Sequence, residues 1–162
     1  MEPVVLRPPL VYGPGTKGNF LALLRLCQMA PPLPFSAVNN RRSLIYVGNM
    51  ADAILRCLTH KDAGGRTYFV RDGEDLSTPD LIRRVAAAIG RPARLFPAPQ
   101  GLLRLAGMVT GKSRSITALL GNSQLNDEKI RSELAWTPPA NVVQGLNETA
   151  SWFASGKAAS KQ

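Results

Sequence analysis

The stretch Arg7-Pro8-Pro9-Leu10-Val11-Tyr12-Gly13-Pro14-Gly15 decides how the rest of the sequence is interpreted. It continues a β-branched apolar run, so residues 3–12 are predicted to form a buried strand, and the Gly-Pro-Gly cluster predicts a sharp exit from it. Asn19 is expected to cap a following helix, whose apolar side chains recur at helical spacing as Phe20, Leu23, Leu24 and Cys27.

Outward from this stretch, predicted strands and helices alternate along the chain. Further strands are predicted at residues 43–47, 67–70 and 93–96. Helices are predicted to begin at Asn49 and at Thr78, and later ones to span residues 102–109, 127–134 and 142–153, while a further apolar pattern lies around residues 116–120. This order is typical of an α/β protein. Residues 1–155 are expected to form a single α/β unit, and residues 156–162 a flexible tail.

The composition is that of a globular protein, with 162 residues, 44% apolar and 19% charged. No apolar window is long enough for a transmembrane helix, and no secretory signal is expected. Cys27 and Cys57 lie in amphipathic stretches without metal-ligand spacing, which predicts buried, reduced thiols, no metal site and a cytoplasmic location.

The net charge of +9 raises the question of nucleic-acid binding. The arginines are scattered over the whole chain with no run longer than two, and no nucleic-acid motif accompanies them. A specific nucleic-acid function is therefore not expected, and non-specific polyanion binding stays open as a minor alternative. Selected arginines are better suited to a small phosphorylated ligand.

Several nominal motifs fail on inspection. Gly13, Gly15 and Gly18 form G-x-G-x-x-G, but the preceding prolines suit a first parallel strand poorly, and no acidic residue closes the next strand. Gly111-Lys112-Ser113 lacks the spacing of a phosphate-binding loop.

His60 is expected at a solvated helix end, and the turn with Asp72, Glu74 and Asp75 is expected to be solvated as well. No catalytic residue is assigned.

The ordered segments resemble the NAD-dependent epimerase/dehydratase family, the extended short-chain dehydrogenases that act on nucleotide sugars. Residues 7–15 resemble its R-P-x-x-V-Y-G-P-G segment, residues 42–47 its R-x-x-I-x-V strand, and residues 49–53 its D-x-A-x-A helix with Asn49 in place of Asp. Residues 129–138 resemble K-x-x-x-x-L-G-W-x-P with Ala135 in place of glycine. The likeness is greatest to 4-epimerases of polysaccharide and lipid-linked sugar synthesis.

The resemblance implies a fold and a function. The fold is the C-terminal part of a Rossmann-type NAD(P)-binding fold plus the small substrate-binding domain. The family's Gly-rich cofactor turn and Tyr-x-x-x-Lys pair are absent from this sequence. It is therefore expected to be the substrate-binding half of an NAD-dependent UDP-hexose 4-epimerase or related dehydratase, inactive alone. The alternative is a non-catalytic binding module with the same fold.

The resemblance also implies binding residues for the nucleoside-diphosphate sugar and for NAD. Arg42 is expected to bind the diphosphate, and Asn19 with Phe20 the diphosphate or nucleotide, although a loop arginine and a helix cap are the alternatives. Leu33 and Phe35 are expected against the uracil ring, with core packing as the alternative. The nicotinamide pocket is expected to use backbone groups of four residues: Pro8, Pro9, Leu10 and Val11.

Three further expectations concern neighbouring parts of the chain. Arg114 is the nearest candidate for a second diphosphate arginine. Leu102, Leu103, Leu105 and Met108 could face a membrane, but their helical spacing favours the core. Strand edges left open by the absent half are expected to bind that half or a second copy of this chain.

Overall fold

The computed structural model describes residues 2–109, 111 and 113–156. The first of its two small sheets is a parallel pair, β1 (Val5–Arg7) and β4 (Thr67–Phe69). In the second, β3 (Arg42–Tyr46) lies between β2 (Leu10–Tyr12), to which it is parallel, and β5 (Asp75–Leu76), to which it is antiparallel. Strands and helices alternate through the first ninety residues, so the predicted α/β class is confirmed.

Among the described residues seven helices accompany the sheets, and a short 3-10 turn at Lys61–Ala63 follows the second of them. The helices are α1 (Gly18–Met29), α2 (Val47–Thr59), α3 (Thr78–Ala88), α4 (Gln100–Val109), α5 (Ser113–Leu120), α6 (Glu128–Leu134) and α7 (Val142–Ala154). The Ser77 hydroxyl caps α3 by accepting from the amide of Asp80, and Pro79 lies in its first turn, where a missing amide hydrogen costs nothing.

The prediction of one continuous strand over residues 3–12 is wrong. Pro8 and Pro9 separate β1 from β2, and the two strands belong to different sheets. Proline donates no hydrogen bond to a ladder, so the chain leaves one sheet at this point and enters the other.

Three other predicted boundaries are corrected. α2 begins at Val47 and not at Asn49, whose fully buried side chain bonds to distant residues instead of capping the helix. The strand expected at residues 93–96 is reduced to one bridge between Leu33 and Leu95. Lys17 rather than Asn19 precedes α1, and no side-chain hydrogen bond caps that helix.

Apolar side chains form two core clusters, one for each sheet. The first lies between the β2–β3–β5 sheet and helices α1, α3 and α7, and includes Tyr12, Phe20 and Leu44. The second joins the β1–β4 pair to α2 and α6 through Tyr68, Ile130 and other side chains. Tyr46 and Trp136 are both buried. The two cysteines, also buried, are unpaired and lie one in each cluster.

Two helices end at an alanine with left-handed backbone conformation. Ala30 after α1 and Ala135 after α6 both have φ of 49°. This region is costly for residues with a Cβ atom, and glycine usually occupies it at a helix end. Ala135 is the position where the family segment described above has glycine, so the backbone keeps the turn although the residue differs.

The core interpretation of α4 is wrong for most of its apolar residues. Leu103 is buried, but Leu102, Leu105 and Met108 are 61%, 53% and 62% exposed. Only one side of this short helix packs, mainly against α5.

No helix within the described residues has both the length and the apolar character needed to cross a bilayer. The tail predicted at residues 156–162 lies, apart from Gly156, outside the described part of the chain, as does the side chain of Arg114.

Candidate functional site

Most residues predicted to bind the nucleotide sugar lie on one side of the β2–β3–β5 sheet. Side chains alternate between the two faces of a strand, so Arg42, Leu44 and Tyr46 of β3 share a face. Leu44 pairs with Leu10 in the neighbouring strand and packs in the same cluster as Phe35. The structure therefore brings Arg42, Leu10 and Phe35 to one face of one sheet.

Arg42 is a half-buried arginine with an unsatisfied donor. Its Nε atom is buried and has no hydrogen-bond partner among the described residues. Burial lowers the pKa of this guanidinium below its ordinary value. A buried donor without an acceptor is costly, and an anion would satisfy it.

Leu33 and Phe35 are held by main-chain hydrogen bonds next to the same cluster. The Leu33 amide donates to the Arg94 carbonyl at 2.8 Å, and the Leu33 carbonyl accepts from Phe96 at 3.0 Å. Phe35 is buried in the first cluster, so core packing accounts for its side chain in this structure. Leu33 is half-buried and keeps surface for a ligand.

Asn19 and Phe20 point in different directions from the first turn of α1. Asn19 is exposed, so its side chain can reach an anion at the helix N-terminus, where amide groups also point outward. Phe20 is 1% exposed and stacks on Tyr12 with ring centroids 5.3 Å apart. In this structure the ring of Phe20 is therefore part of the core.

The four residues predicted to contact nicotinamide form the crossing between the two sheets. Pro8 and Val11 are exposed, and Pro9 and Leu10 are half-buried. Val11 faces away from Leu10 and Tyr12, because neighbouring side chains of a strand point to opposite faces. Pro8 and Pro9 lie between β1 and β2 and belong to neither strand.

Asp72, which the sequence analysis placed in a solvated turn, is a buried carboxylate at the centre of a hydrogen-bond network. Its Oδ2 accepts from the Tyr12 hydroxyl at 2.7 Å, and its Oδ1 accepts from the Tyr46 amide at 2.9 Å and from Asn49 Nδ2 at 2.8 Å. Asn49 also exchanges two bonds with the backbone of Ala140. This network ties together β2, β3, α2 and the start of α7.

Burial raises the pKa of Asp72, although the three donors act in the opposite direction. A signal for this residue exists in the sequence, because Asp72 lies shortly after the carboxyl end of a strand, and segments of that kind commonly carry functional polar groups. The partners cannot be read from local spacing, since Tyr12 is sixty positions away.

A second buried amide, Asn40, fixes the chain just before Arg42. Asn40 Nδ2 donates to the Thr78 hydroxyl and to the carbonyls of Leu119 and Gly121, and Asn40 Oδ1 accepts from the Thr78 amide at 2.8 Å. The next strand residue, Ser43, bonds Asp75 at 2.7 Å. Arg42 therefore extends from a rigid strand start.

All three tyrosines of the sequence have raised pKa values. Burial, followed by the contact with Asp72, raises the pKa of Tyr12 far above 10. Burial, together with hydrogen bonds to Glu148 and Glu133 respectively, raises the pKa of Tyr46 and of Tyr68 to about 12 each. A general base near neutral pH needs a pKa near that pH, so none of these hydroxyls is suited to the role.

Two surface clefts lie away from the predicted residues. One, of about 330 Å³, is lined by Asp52, Arg56, Trp136 and their neighbours. The other, of about 270 Å³, lies between the ends of α3 and α7. Neither cleft contains a residue predicted to bind sugar nucleotide or NAD. Within the described residues no three His, Cys, Asp or Glu side chains are grouped as metal ligands.

Comparison with known proteins identifies relatives of this chain. Residues 1–70 match the model of the NAD dependent epimerase/dehydratase family. The chain is 38% identical over 154 residues to a UDP-glucose 4-epimerase of Vibrio cholerae, a match that covers 94% of this chain and 47% of that protein. It is 26% identical over 157 residues to the N-acetyl-alpha-D-glucosaminyl-diphospho-ditrans,octacis-undecaprenol 4-epimerase of Escherichia coli O157:H7, covering 90% and 47%.

Solved structures confirm the fold. An epimerase from Methanothermobacter thermautotrophicus superposes with a TM-score of 0.73 at 17% identity, over 98% of this chain and 45% of that one. A UDP-glucose 4-epimerase of Thermotoga maritima with UDP-glucose gives 0.64 at 18% identity, over 94% and 46%. The chain spans about half the length of the curated relatives it matches. The family resemblance and the Rossmann-type fold inferred from the sequence are confirmed.

Proposed function

We propose that this relative of the NAD-dependent epimerase/dehydratase family supplies the substrate-binding, C-terminal half of a UDP-hexose 4-epimerase. The observation that carries the proposal is Arg42, whose buried Nε lacks an acceptor among the described residues. A diphosphate offers acceptor oxygens in the planar arrangement that a guanidinium matches. The relatives named as UDP-glucose and lipid-linked sugar 4-epimerases support this ligand class.

In this proposal the chain binds and orients the substrate but does not move protons. Arg42 binds the diphosphate, and Asn19 donates a hydrogen bond to the nucleotide at the first turn of α1. Leu33 contacts the base, and Phe35 packs behind Leu33 in the core. The raised pKa values of the three tyrosines support the expectation that a base must come from other polypeptide. Asp72 and Asn40 fix the elements that carry these groups.

NAD is the cofactor that the family implies. The exposed backbone at Pro8 and Val11 fits a contact with the nicotinamide end, and the remaining contacts are proposed to come from the other half of the enzyme. When bound, NAD takes up and returns a hydride at the sugar carbon. The chain described here is proposed to bind NAD weakly or not at all by itself, and to be a single unit over residues 1–155.

The partner of the chain is proposed to be that other half, docked on the outer edge of β1. Within the described residues β1 pairs only with β4, and Val5 is 45% exposed beside the unpaired edge. An open strand edge favours pairing with another chain, so a second copy of this chain would compete for it. A cytoplasmic location remains our prediction, supported by two buried cysteines that form no disulfide.

The test of ligand binding is calorimetric titration of the chain with UDP and, separately, with uridine. The Arg42→Ala variant should bind UDP about tenfold or more weakly, because a charge-assisted bidentate contact is lost. Arg41→Ala is the matched control, since Arg41 is adjacent, exposed and should not change UDP affinity. Equal UDP affinity in all three proteins would contradict the assignment.

The test of the enzymatic role is an assay with UDP-hexose and NAD, with and without a separately expressed first half of a related epimerase. No epimerisation is expected from the chain alone, and activity is expected on mixing. Turnover by the chain alone would contradict the proposal that the catalytic base lies on another polypeptide. UDP binding without activity in any mixture would favour the alternative, a non-catalytic binding module.

A further inference from the structure

α4 presents an apolar stripe to the surface. Leu102, Leu105 and Val109 follow one another at intervals of three and four residues, and Met108 lies beside them, so all four share a face of the helix. Val109 is 81% exposed, and the other three are each more than half exposed. The opposite side packs on α5, where Gly107 lies against Ile116. The stripe is therefore not needed to hold α4 in place.

The segment of sequence that contains this stripe carries charge of one sign. Between Asp80 and Asp127 the sequence has no Asp or Glu, and its charged residues are Arg83, Arg84, Arg91, Arg94, Arg104, Lys112 and Arg114. Arg83 and Arg84 are paired with Asp80 and Glu74. Among the described residues no ion pair involves the other three arginines whose side chains are described, Arg91, Arg94 and Arg104, and all three are exposed.

An exposed apolar helix face with an arginine on the same helix, in a stretch of sequence without carboxylates, matches the chemistry of an anionic lipid surface. Apolar side chains enter the boundary between headgroups and acyl chains, and arginines near such a helix attract the negative charge of the leaflet. Arg104 lies on α4 itself, beside Met108 on the helix surface. A neutral protein partner would match the stripe but not the positive charge of Arg104 and of the carboxylate-free segment that contains α4.

We propose that the α4 stripe, defined as Leu102, Leu105, Met108 and Val109, binds the surface of an anionic phospholipid membrane. The helix lies in the interface and does not span it, since α4 is ten residues long. The stripe lies next to the first core cluster through Leu103, whereas the open β1 edge lies beside the second cluster. Membrane binding and docking of another half therefore use different surfaces.

The test is co-sedimentation of the full chain with vesicles of phosphatidylglycerol and phosphatidylcholine, compared with vesicles of phosphatidylcholine alone. Binding should require the anionic lipid and weaken as salt is raised, because the arginines act through charge. Leu105→Glu should reduce the partition coefficient of the chain between vesicles and water about tenfold or more, since it puts a carboxylate into the apolar face. Arg104→Gln should reduce it by a smaller factor.

Matched controls keep the result specific. Leu58→Glu replaces a leucine that is 78% exposed on α2, and Arg25→Gln replaces an exposed arginine on α1, and neither should change vesicle binding. Unchanged circular dichroism and UDP affinity in Leu105→Glu would show that the variant is folded. Equal loss in Leu58→Glu and Leu105→Glu, or binding that ignores lipid charge, would overturn the proposal.

A second outcome would also overturn it. If the chain associates with itself in solution and Leu105→Glu abolishes that association while vesicle binding is absent, the stripe is an interface between two copies. Because the UDP titration needs no membrane, failure of this proposal leaves the proposed nucleotide-sugar function untouched.

Discussion

At the scale of single residues, the buried carboxylate of Asp72 has the largest predicted effect. Asp72→Ala would leave the Tyr12 hydroxyl, the Tyr46 amide and Asn49 Nδ2 without their acceptor inside the core. Unsatisfied buried donors are costly, so the free energy of unfolding should fall by about 3 kcal/mol or more.

Urea unfolding followed by circular dichroism measures this loss. The matched control is Asp62→Ala, since the side chain of Asp62 is 64% exposed and its removal should change stability by about 0.5 kcal/mol or less. Similar midpoints for the two variants would mean that the Asp72 network contributes little.

The same residue shows where sequence reasoning stops. Arg42 was identified from a family segment, and its unsatisfied Nε is consistent with that assignment. Asp72 was misjudged because its neighbours Glu74 and Asp75 suggest a solvated turn, and only the fold brings Tyr12 and Tyr46 to it. Local spacing predicts local contacts, whereas a buried network depends on strand register and helix placement.

At the scale of elements, the contact of α7 with the two tyrosines of the first core depends on a missing side chain. A Cβ atom added at Gly145 would lie 2.7 Å from the Tyr12 hydroxyl oxygen and 2.9 Å from Cδ2 of Tyr46. α7 can approach β2 and β3 this closely only because residue 145 has no Cβ atom.

Gly145→Ala should therefore destabilise the protein by about 1–3 kcal/mol through overpacking, even though alanine favours a helix by about 1 kcal/mol. Gly101→Ala on α4 is the control, because nothing lies within 4 Å of an added Cβ there and a small gain is expected. Thermal melting of both variants measures the difference. A gain in both would show that α7 adjusts without cost.

Sequence patterns predicted elements best where the signal is local. Ser77, Thr78 and Pro79 define the start of α3, and the bounds predicted for α4, α6 and α7 lie within about two residues of those in the structure. The strand at residues 3–12 and the start of α2 were misjudged, because sheet pairing decides both. Apolar spacing on α4 also suggested burial, although periodicity tells which residues share a face and not what covers that face.

At the scale of the whole molecule, the stability of the fold should depend on pH in the alkaline range, because buried tyrosines ionise there. Raised pKa values in the folded state mean that folding favours the neutral phenol at Tyr12, Tyr46 and Tyr68. The resulting stability is fully present below the unfolded pKa of about 10 and is lost as pH rises through the folded values, about 12 for Tyr46 and Tyr68.

The ultraviolet absorbance of tyrosinate measures this shift during a pH titration. The folded chain should show almost no tyrosinate at a pH of about 10, whereas the chain in denaturant should be about half ionised there. Urea midpoints should decline as pH rises above this value. A phenol that ionises in the folded protein near neutral pH would contradict the prediction and would restore a candidate base to this chain.

The alanine at the end of α6 has a consequence for laboratory evolution. The codons of alanine and glycine differ only in their second base, so a single nucleotide change turns Ala135 into the residue that its left-handed backbone prefers. A mutagenised library selected for heat tolerance has a short path to that variant, which relieves strain without touching the residues proposed to hold the sugar nucleotide.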